Sequence, residues 1–126
     1  TLPVGIVPSG PAAGPTPDQR VAEGIGRLVA QLSTLRQMSL SVAGMLSAGK
    51  VPEVEAALVK DLGTNWEQAL PSRARELAPE NCDDPKALSA FEEILDHAIL
   101  IAPKLTIQGG TREILRGIIA RGLGLR

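Results

Sequence analysis

The sequence predicts an all-α protein, an up-down four-helix bundle, and three observations carry that reading. Apolar residues recur at spacings of three and four in successive segments, the signature of helices with one buried face. The breaks between these segments fall at residues that start or stop helices. The apolar content is Leu, Ile, Val and Ala with almost no rings: hydrophobic residues make up 44% and aromatics 2%, Trp66 and Phe91 being the whole set. Such small side chains suit helices packed closely on helices, and no two-residue alternation competes. With 126 residues the chain has the length of one domain, and short connections make an up-down order the default.

Residues 1–16, TLPVGIVPSGPAAGPT, are interrupted by Pro3, Pro8, Pro11 and Pro15 and by Gly5, Gly10 and Gly14. They read as a linker or extended arm, and residues 17–126 as the bundle. Thr16, Pro17 and Gln19 look like a helix start: a capping hydroxyl, a proline in the first turn and a capping-box partner. The first helix is expected over about 17–47, with Val21, Ile25, Leu28, Leu32, Leu35, Val42 and Leu46 on one face and Ser39 interrupting the row. Gly24, Gly26 and Gly44 weaken it by about 1 kcal/mol each, which close approach of a neighbouring helix would rationalise; Gly49 supplies the stop. Pro52 opens a second helix with Glu53 and Glu55 in its first turn, where the macrodipole favours acid. Val54, Leu58, Leu62, Trp66 and Leu70 lie four apart along it, and Pro71 either sits inside it or ends it. After an acidic loop from Pro79 to Asp84, a third helix starts at Asp84–Pro85, turns Leu88, Phe91, Leu95 and Ala98 inward and ends near Pro103. Thr111 caps a short fourth helix whose apolar pairs are Ile114 with Ile118 and Leu115 with Ile119. The expected core is Val21, Ile25, Leu28, Leu32, Leu35, Leu58, Leu62, Leu88, Phe91, Leu95, Ile114 and Ile118. Val29, Met38, Leu40 and Met45 are left over on the first helix.

The net charge of −1 and the scarcity of rings argue against a nucleic-acid surface. Cys82, the one cysteine, closes no intrachain disulfide and has no ligand cluster around it for a metal; a reducing cytoplasm fits. No run of about 18 apolar residues is present to span a membrane, and the N-terminus lacks a signal-peptide pattern. The chain begins at Thr1 rather than Met, which reads as a fragment or a trimmed chain. His97 is the one histidine. It lies off the apolar row of its helix, and a general base would need a positioned partner that the sequence does not supply. Glu92, Glu93 and Asp96 read as a solvated face, and Trp66, continuing an apolar row, as core.

The informative segment is the end, TIQGGTREILRGIIARGLGLR. Gly109 and Gly110 leading into a helix would let a ligand approach the backbone. The N–H groups and positive dipole of that helix start suit a phosphate, to which Arg112 and Arg116 could add charge. A Gly-rich hinge before a helix, with both arginines solvated, accounts for the same residues.

Gly110-Thr111-x-Glu113-Ile114-x-Arg116-x-Ile118-Ile119-Ala120-Arg121 resembles the motif that opens the last helix of acyl-CoA dehydrogenases, most like their actinobacterial branch. Ala56-Ala57-x-Val59-Lys60 resembles the small-residue and lysine pattern of the middle helix in the same C-terminal domain. The long helix ending in Gly49-Lys50 fits the same layout. The resemblance covers about residues 20–126. It implies the C-terminal helical domain of an enzyme that oxidises an acyl-CoA to the trans-2-enoyl-CoA with FAD, in fatty acid or steroid side-chain degradation, alongside like or unlike dehydrogenase subunits. It also implies that Gly110, Thr111 and Glu113 lie near FAD.

Three departures qualify this. Many members carry their catalytic Glu just before Gly-Thr, and here that position is Gly109, so the chain offers no catalytic residue of its own. The Gln-x-x-Gly-Gly turn that usually holds the FAD pyrophosphate of a neighbouring subunit is not recognisable; residues 73–81 read RARELAPEN. The β domain and the helix that normally opens the C-terminal domain are missing. Two readings therefore stand: part of an FAD-dependent dehydrogenase, inactive and holding FAD weakly by itself, or a non-catalytic helical assembly subunit that kept the fold and lost the site.

Overall fold

A computed structural model describes residues 14–78 and 82–125. Most of the expected arm (residues 1–13), part of the expected acidic loop (79–81) and Arg126 lie outside the described residues. Four helices follow in order: α1 (Pro17–Ser47), α2 (Glu53–Leu77), α3 (Pro85–Leu105) and α4 (Arg112–Gly122). Among the described residues there is no strand, and the all-α four-helix expectation holds.

Local signals set the boundaries. The Thr16 hydroxyl accepts from the Gln19 N–H at 3.3 Å and the Gln19 side chain accepts from the Thr16 N–H at 2.8 Å, a reciprocal pair that satisfies two N–H groups at the start of α1. At the other end Gly49 takes φ of 75°, and the Lys50 N–H reaches back to the Met45 carbonyl; a side chain at that φ would be strained. α2 runs through Pro71, which is buried, to Leu77. Asp84 caps α3 by accepting from the N–H groups of Lys86 and Ala87. α3 continues two residues past Pro103, to Leu105.

α2 is the hub. Each of the other three helices packs against it and none approaches another as closely. α1 lies antiparallel to α2: Gly24 meets Leu77, Arg73 donates to Gln31 at 2.8 Å, and Ser39 and Val42 flank Ala56 and Val59. α3 also runs against α2, with Arg75 paired to Asp96 at 2.5 Å and Gln68 donating to the Ala102 carbonyl at 2.8 Å. α4 keeps the direction of α3 on a different face of α2, from Asn65 beside Arg112 to Val54 beside Gly122. Added methyls at Gly24 and Gly122 would run into Leu77 and Val54, whereas Gly26 and Gly44 face open space. The close-approach explanation thus holds for the first glycine of α1 and fails for the other two.

The core is smaller than the periodicity suggested. The buried apolar side chains are Ala57, Leu95 and Leu115, together with Pro52 and Pro71. Val21, Leu28, Leu35, Leu88, Phe91 and Ile118 are half-buried as interior positions should be. Ile25, Leu32, Leu58, Leu62 and Ile114, also expected inside, are exposed. The reason lies in α1, whose half-buried row is Val21, Gly24, Leu28, Leu35, Met38, Val42 and Met45, in steps of three and four with one of seven from Leu28 to Leu35, along a narrow seam. Met38 and Met45, left over in the sequence reading, belong to that seam. Ile25, Val29, Leu32 and Leu40 form a second apolar face beside it, each more than half exposed.

Candidate functional site

The start of α4 and the turn before it, residues 106–111, carry Gly110, Thr111 and Glu113. Gly109 and Gly110 have φ of 76° and 114°, backbone that favours glycine. A methyl on Gly110 would touch Leu115, the buried anchor of α4, and one on Gly109 would touch the Lys60 side chain, each at an ordinary 3.5 Å. The glycine at 109 is therefore demanded by conformation rather than by crowding. Any side chain there, a carboxylate included, would sit on strained backbone.

Thr111 caps α4, its hydroxyl accepting from the Ile114 N–H at 3.5 Å while its carbonyl accepts from the Leu115 N–H. Glu113 is exposed, and its carboxyl is held below the ordinary range first by its own backbone N–H, then by the Thr111 hydroxyl, with Arg112 and Arg116 adding to the effect. An ionised carboxylate in the first turn also complements the dipole. The Ile114 N–H is thus already satisfied by Thr111, and an anionic side chain stands in the turn where a phosphate would bind.

Both arginines also lie against a carboxylate of α2. Arg112 Nε lies 3.6 Å and Arg116 Nε 3.5 Å from the two oxygens of Asp61, which is only 8% exposed in the middle of α2. Arg112 also donates to Asn65 and, at 3.4 Å, to Gln68. The positive charge that a phosphate reading needs is offset within the fold. Arg112 is drawn partly into the fold, whereas Arg116, its side chain 60% exposed, keeps much of the solvation expected of it while facing Asp61.

The end of α3 is held by the same stretch of α2. The carbonyls of Pro103 and Lys104 accept from the N–H groups of Thr106, Ile107 and Gln108. Those of Ala102 and Leu105 accept instead from the Gln68 amide and, at 3.4 Å, from Lys60 Nζ. All four carbonyls of the last turn are thereby satisfied. Asp61, Asn65 and Gln68 were not singled out in the sequence; their spacing along one face of α2 was visible, but nothing local pointed them at α4.

The remaining candidates fall elsewhere. His97, Glu92, Glu93 and Asp96 are exposed on α3, and Asp96 is engaged by Arg75. Trp66 is half-buried between α1 and α2, as its place in an apolar row implied, although its indole N–H finds no acceptor among the described residues. Cys82 is half-buried and donates to the Asp84 carbonyl at 3.3 Å. Residues 73–77, where a Gly-Gly turn was sought, are the last turn of α2. Among the described residues no helix is long and apolar enough to cross a membrane.

A family model described as acyl-CoA dehydrogenase, C-terminal domain, matches residues 12–124. No curated protein and no solved structure matches the chain. The matched span takes in all four helices, the turn at Gly109–Gly110 and the capped start of α4, and on that extent of similarity the chain belongs to the family of acyl-CoA dehydrogenase C-terminal domains.

Proposed function

We propose that this chain serves as the C-terminal domain of an FAD-dependent acyl-CoA dehydrogenase, with Gly110, Thr111 and Glu113 as the edge that meets the flavin nucleotide. The observation that carries the reading is the Thr111 cap of an exposed helix start, with the Glu113 carboxylate in its first turn, inside the span that matches the family. The residues present fit a neutral, hydroxyl- or amine-bearing part of the cofactor: the carboxylate accepts and the hydroxyl donates or accepts. They do not fit its pyrophosphate, since the local anion is Glu113 and the nearby cations face Asp61. When bound in the complete enzyme, FAD would supply the hydride acceptor for the β carbon of an acyl-CoA, and removal of the α proton would call for a base. Gly109 cannot be that base, and the strained φ at that position keeps other residues out. By itself the chain then neither turns over acyl-CoA nor retains FAD. The proposal divides it into an arm over 1–16 and the bundle over 17–126, and places it in the cytoplasm.

The test is direct. The purified chain should carry no stoichiometric flavin and show no turnover with any acyl-CoA and electron acceptor; a yellow protein would overturn that part. In a complete dehydrogenase containing this domain, Thr111→Ala and Glu113→Gln should each weaken FAD retention, and unchanged retention in both would remove Gly110, Thr111 and Glu113 from the cofactor site.

Two observations favour the second reading, a non-catalytic assembly subunit: glycine at the position where many members carry the base, and the exposed apolar face of α1. Ile25, Val29, Leu32 and Leu40 together form a patch of the kind that marks association. Under either reading this face meets a like or unlike dehydrogenase subunit. Sedimentation velocity at several concentrations tests it: a strict monomer, with Leu40→Glu costing neither solubility nor stability, would sink the idea. Flavin retained by the assembled partner complex and lost in Glu113→Gln favours the enzyme; assembly without any effect on flavin favours the structural subunit.

A further inference from the structure

Asp61 is the one buried carboxylate among the described residues, and it faces two cations of another helix. Burying a carboxylate against two partly exposed guanidinium groups is a poor way to add stability, because its desolvation offsets most of the attraction. What it supplies is register: two guanidinium groups one helical turn apart meet the two oxygens of a single carboxylate only at one rotation and one height of α4. The neighbours on the same face of α2 act on the same segment. Asn65 and Gln68 take Arg112, while Gln68 and Lys60 take the open carbonyls at the end of α3. The turn at 106–111 contributes little apolar anchorage of its own. Ile107 is 70% exposed, and the buried side chain nearest the turn is Leu115. With two adjacent positive-φ glycines inside it, its own backbone has little to fix where Thr111 comes to rest.

We propose that Asp61 is the positioning residue of this turn: by fixing Arg112 and Arg116 it sets where Thr111 and Glu113 are presented, while Gln68 and Lys60 pin the other end. The functional meaning of this rests on the reading that Thr111 and Glu113 meet the flavin; the positioning itself does not. α2 is then a rigid bar that holds the edge of a cofactor site from behind without touching the cofactor.

The experiment is hydrogen exchange by mass spectrometry on the chain itself, comparing the segment 106–116 with α1. In Asp61→Asn, which keeps the shape and removes the charge, exchange in 106–116 should quicken about tenfold or more while segments within 25–45 hold their rates, because local opening is decoupled from global unfolding. Asp61→Glu should restore the rate to within about threefold. Arg116→Met, at a partner whose side chain is 60% exposed and so leaves no cavity, should give the same local effect more weakly. A uniform rise across α1 and α4 in Asp61→Asn would make Asp61 an ordinary core residue and overturn the proposal. Unchanged exchange in 106–116 in both Asp61→Asn and Arg116→Met would overturn it too. If Asp61→Asn does not fold, Arg116→Met and Arg112→Met decide alone: a local rise supports the proposal and no rise overturns it. None of these readouts involves flavin. Failure of the cofactor reading would appear instead as unchanged FAD retention in Thr111→Ala and Glu113→Gln of a complete dehydrogenase, whatever the exchange shows.

Discussion

The contrast between Leu95 and Leu62 is the sharpest consequence of a core centred on α2. Both sit in apolar rows with helical spacing and both read as interior from the sequence. In the structure Leu95 is 5% exposed and Leu62 is 40% exposed. Truncating a buried leucine to alanine loses its transfer free energy and leaves a cavity, together about 2–5 kcal/mol. Leu95→Ala should fall in the upper half of that range, because Leu95 is the one buried side chain of α3 among the described residues and few others are available to collapse onto the gap. At Leu62 roughly three-fifths of the side chain is removed from water and its open side leaves no closed cavity, so Leu62→Ala should cost only about 1 kcal/mol. Urea unfolding followed by far-UV circular dichroism measures both, provided the slopes agree with the parent. The measurement belongs at low protein concentration, where association does not add burial. If Leu62→Ala costs as much as Leu95→Ala there, the face of α2 around Leu62 is covered in the monomer and the packing described above is wrong. If the two converge only as concentration rises, a second chain covers Leu62.

The glycines give an independent check. Gly122→Ala should destabilise by about 1–3 kcal/mol, since the new methyl meets the branched Val54 side chain. Gly24→Ala should cost less, because Leu77 presents the flexible end of its side chain, and Gly26→Ala and Gly44→Ala should gain about 0.5–1 kcal/mol in thermal unfolding. Gly109→Ala should lose about 1–2 kcal/mol through its φ of 76° alone, and Gly109→Glu should lose as much without conferring dehydrogenase activity in an acyl-CoA assay. For Glu113, the folded carboxyl titrates below its unfolded value. Whatever stability it contributes is therefore complete above the unfolded pKa and is lost as pH falls through the folded one. Carboxyl NMR titration should place its midpoint below that of a free glutamate, and Thr111→Ala should move it up by removing one hydrogen bond.

Much of the fold was legible because helix starts and stops are local. Thr16 with Gln19, Gly49, Asp84 and Thr111 each act within a few residues, and all stand where the sequence put them. Which apolar stripe turns inward is not local. α1 carries two apolar rows side by side, and the sequence reading favoured leucine and isoleucine over Met38 and Met45. The choice depended on Gly24: a residue without a Cβ lets α2 come close on its own side of α1, and that side carries the methionines. The same competition decided Ile114 against Leu115, where the positive-φ pair at Gly109–Gly110 brings the turn back against Leu115 and leaves Ile114 outside.

The candidate site divides along the same line. The Thr111 cap could be read because a cap acts within its own turn, while Gly110 and Glu113 were singled out only by the resemblance of the motif around them. What surrounds them could not, because the sequence does not set the height of α4 along α2. Once Asp61 is seen to lie between Arg112 and Arg116, the cations of the phosphate reading are already shared with a buried carboxylate, and Glu113 adds an anion at the helix start itself. A helix N-terminus with two nearby arginines is a phosphate site only while those arginines are free to turn toward it. Here one buried carboxylate more than fifty residues upstream engages both, and what the helix start itself offers is a hydroxyl and a carboxylate suited to a neutral hydrogen-bonding edge.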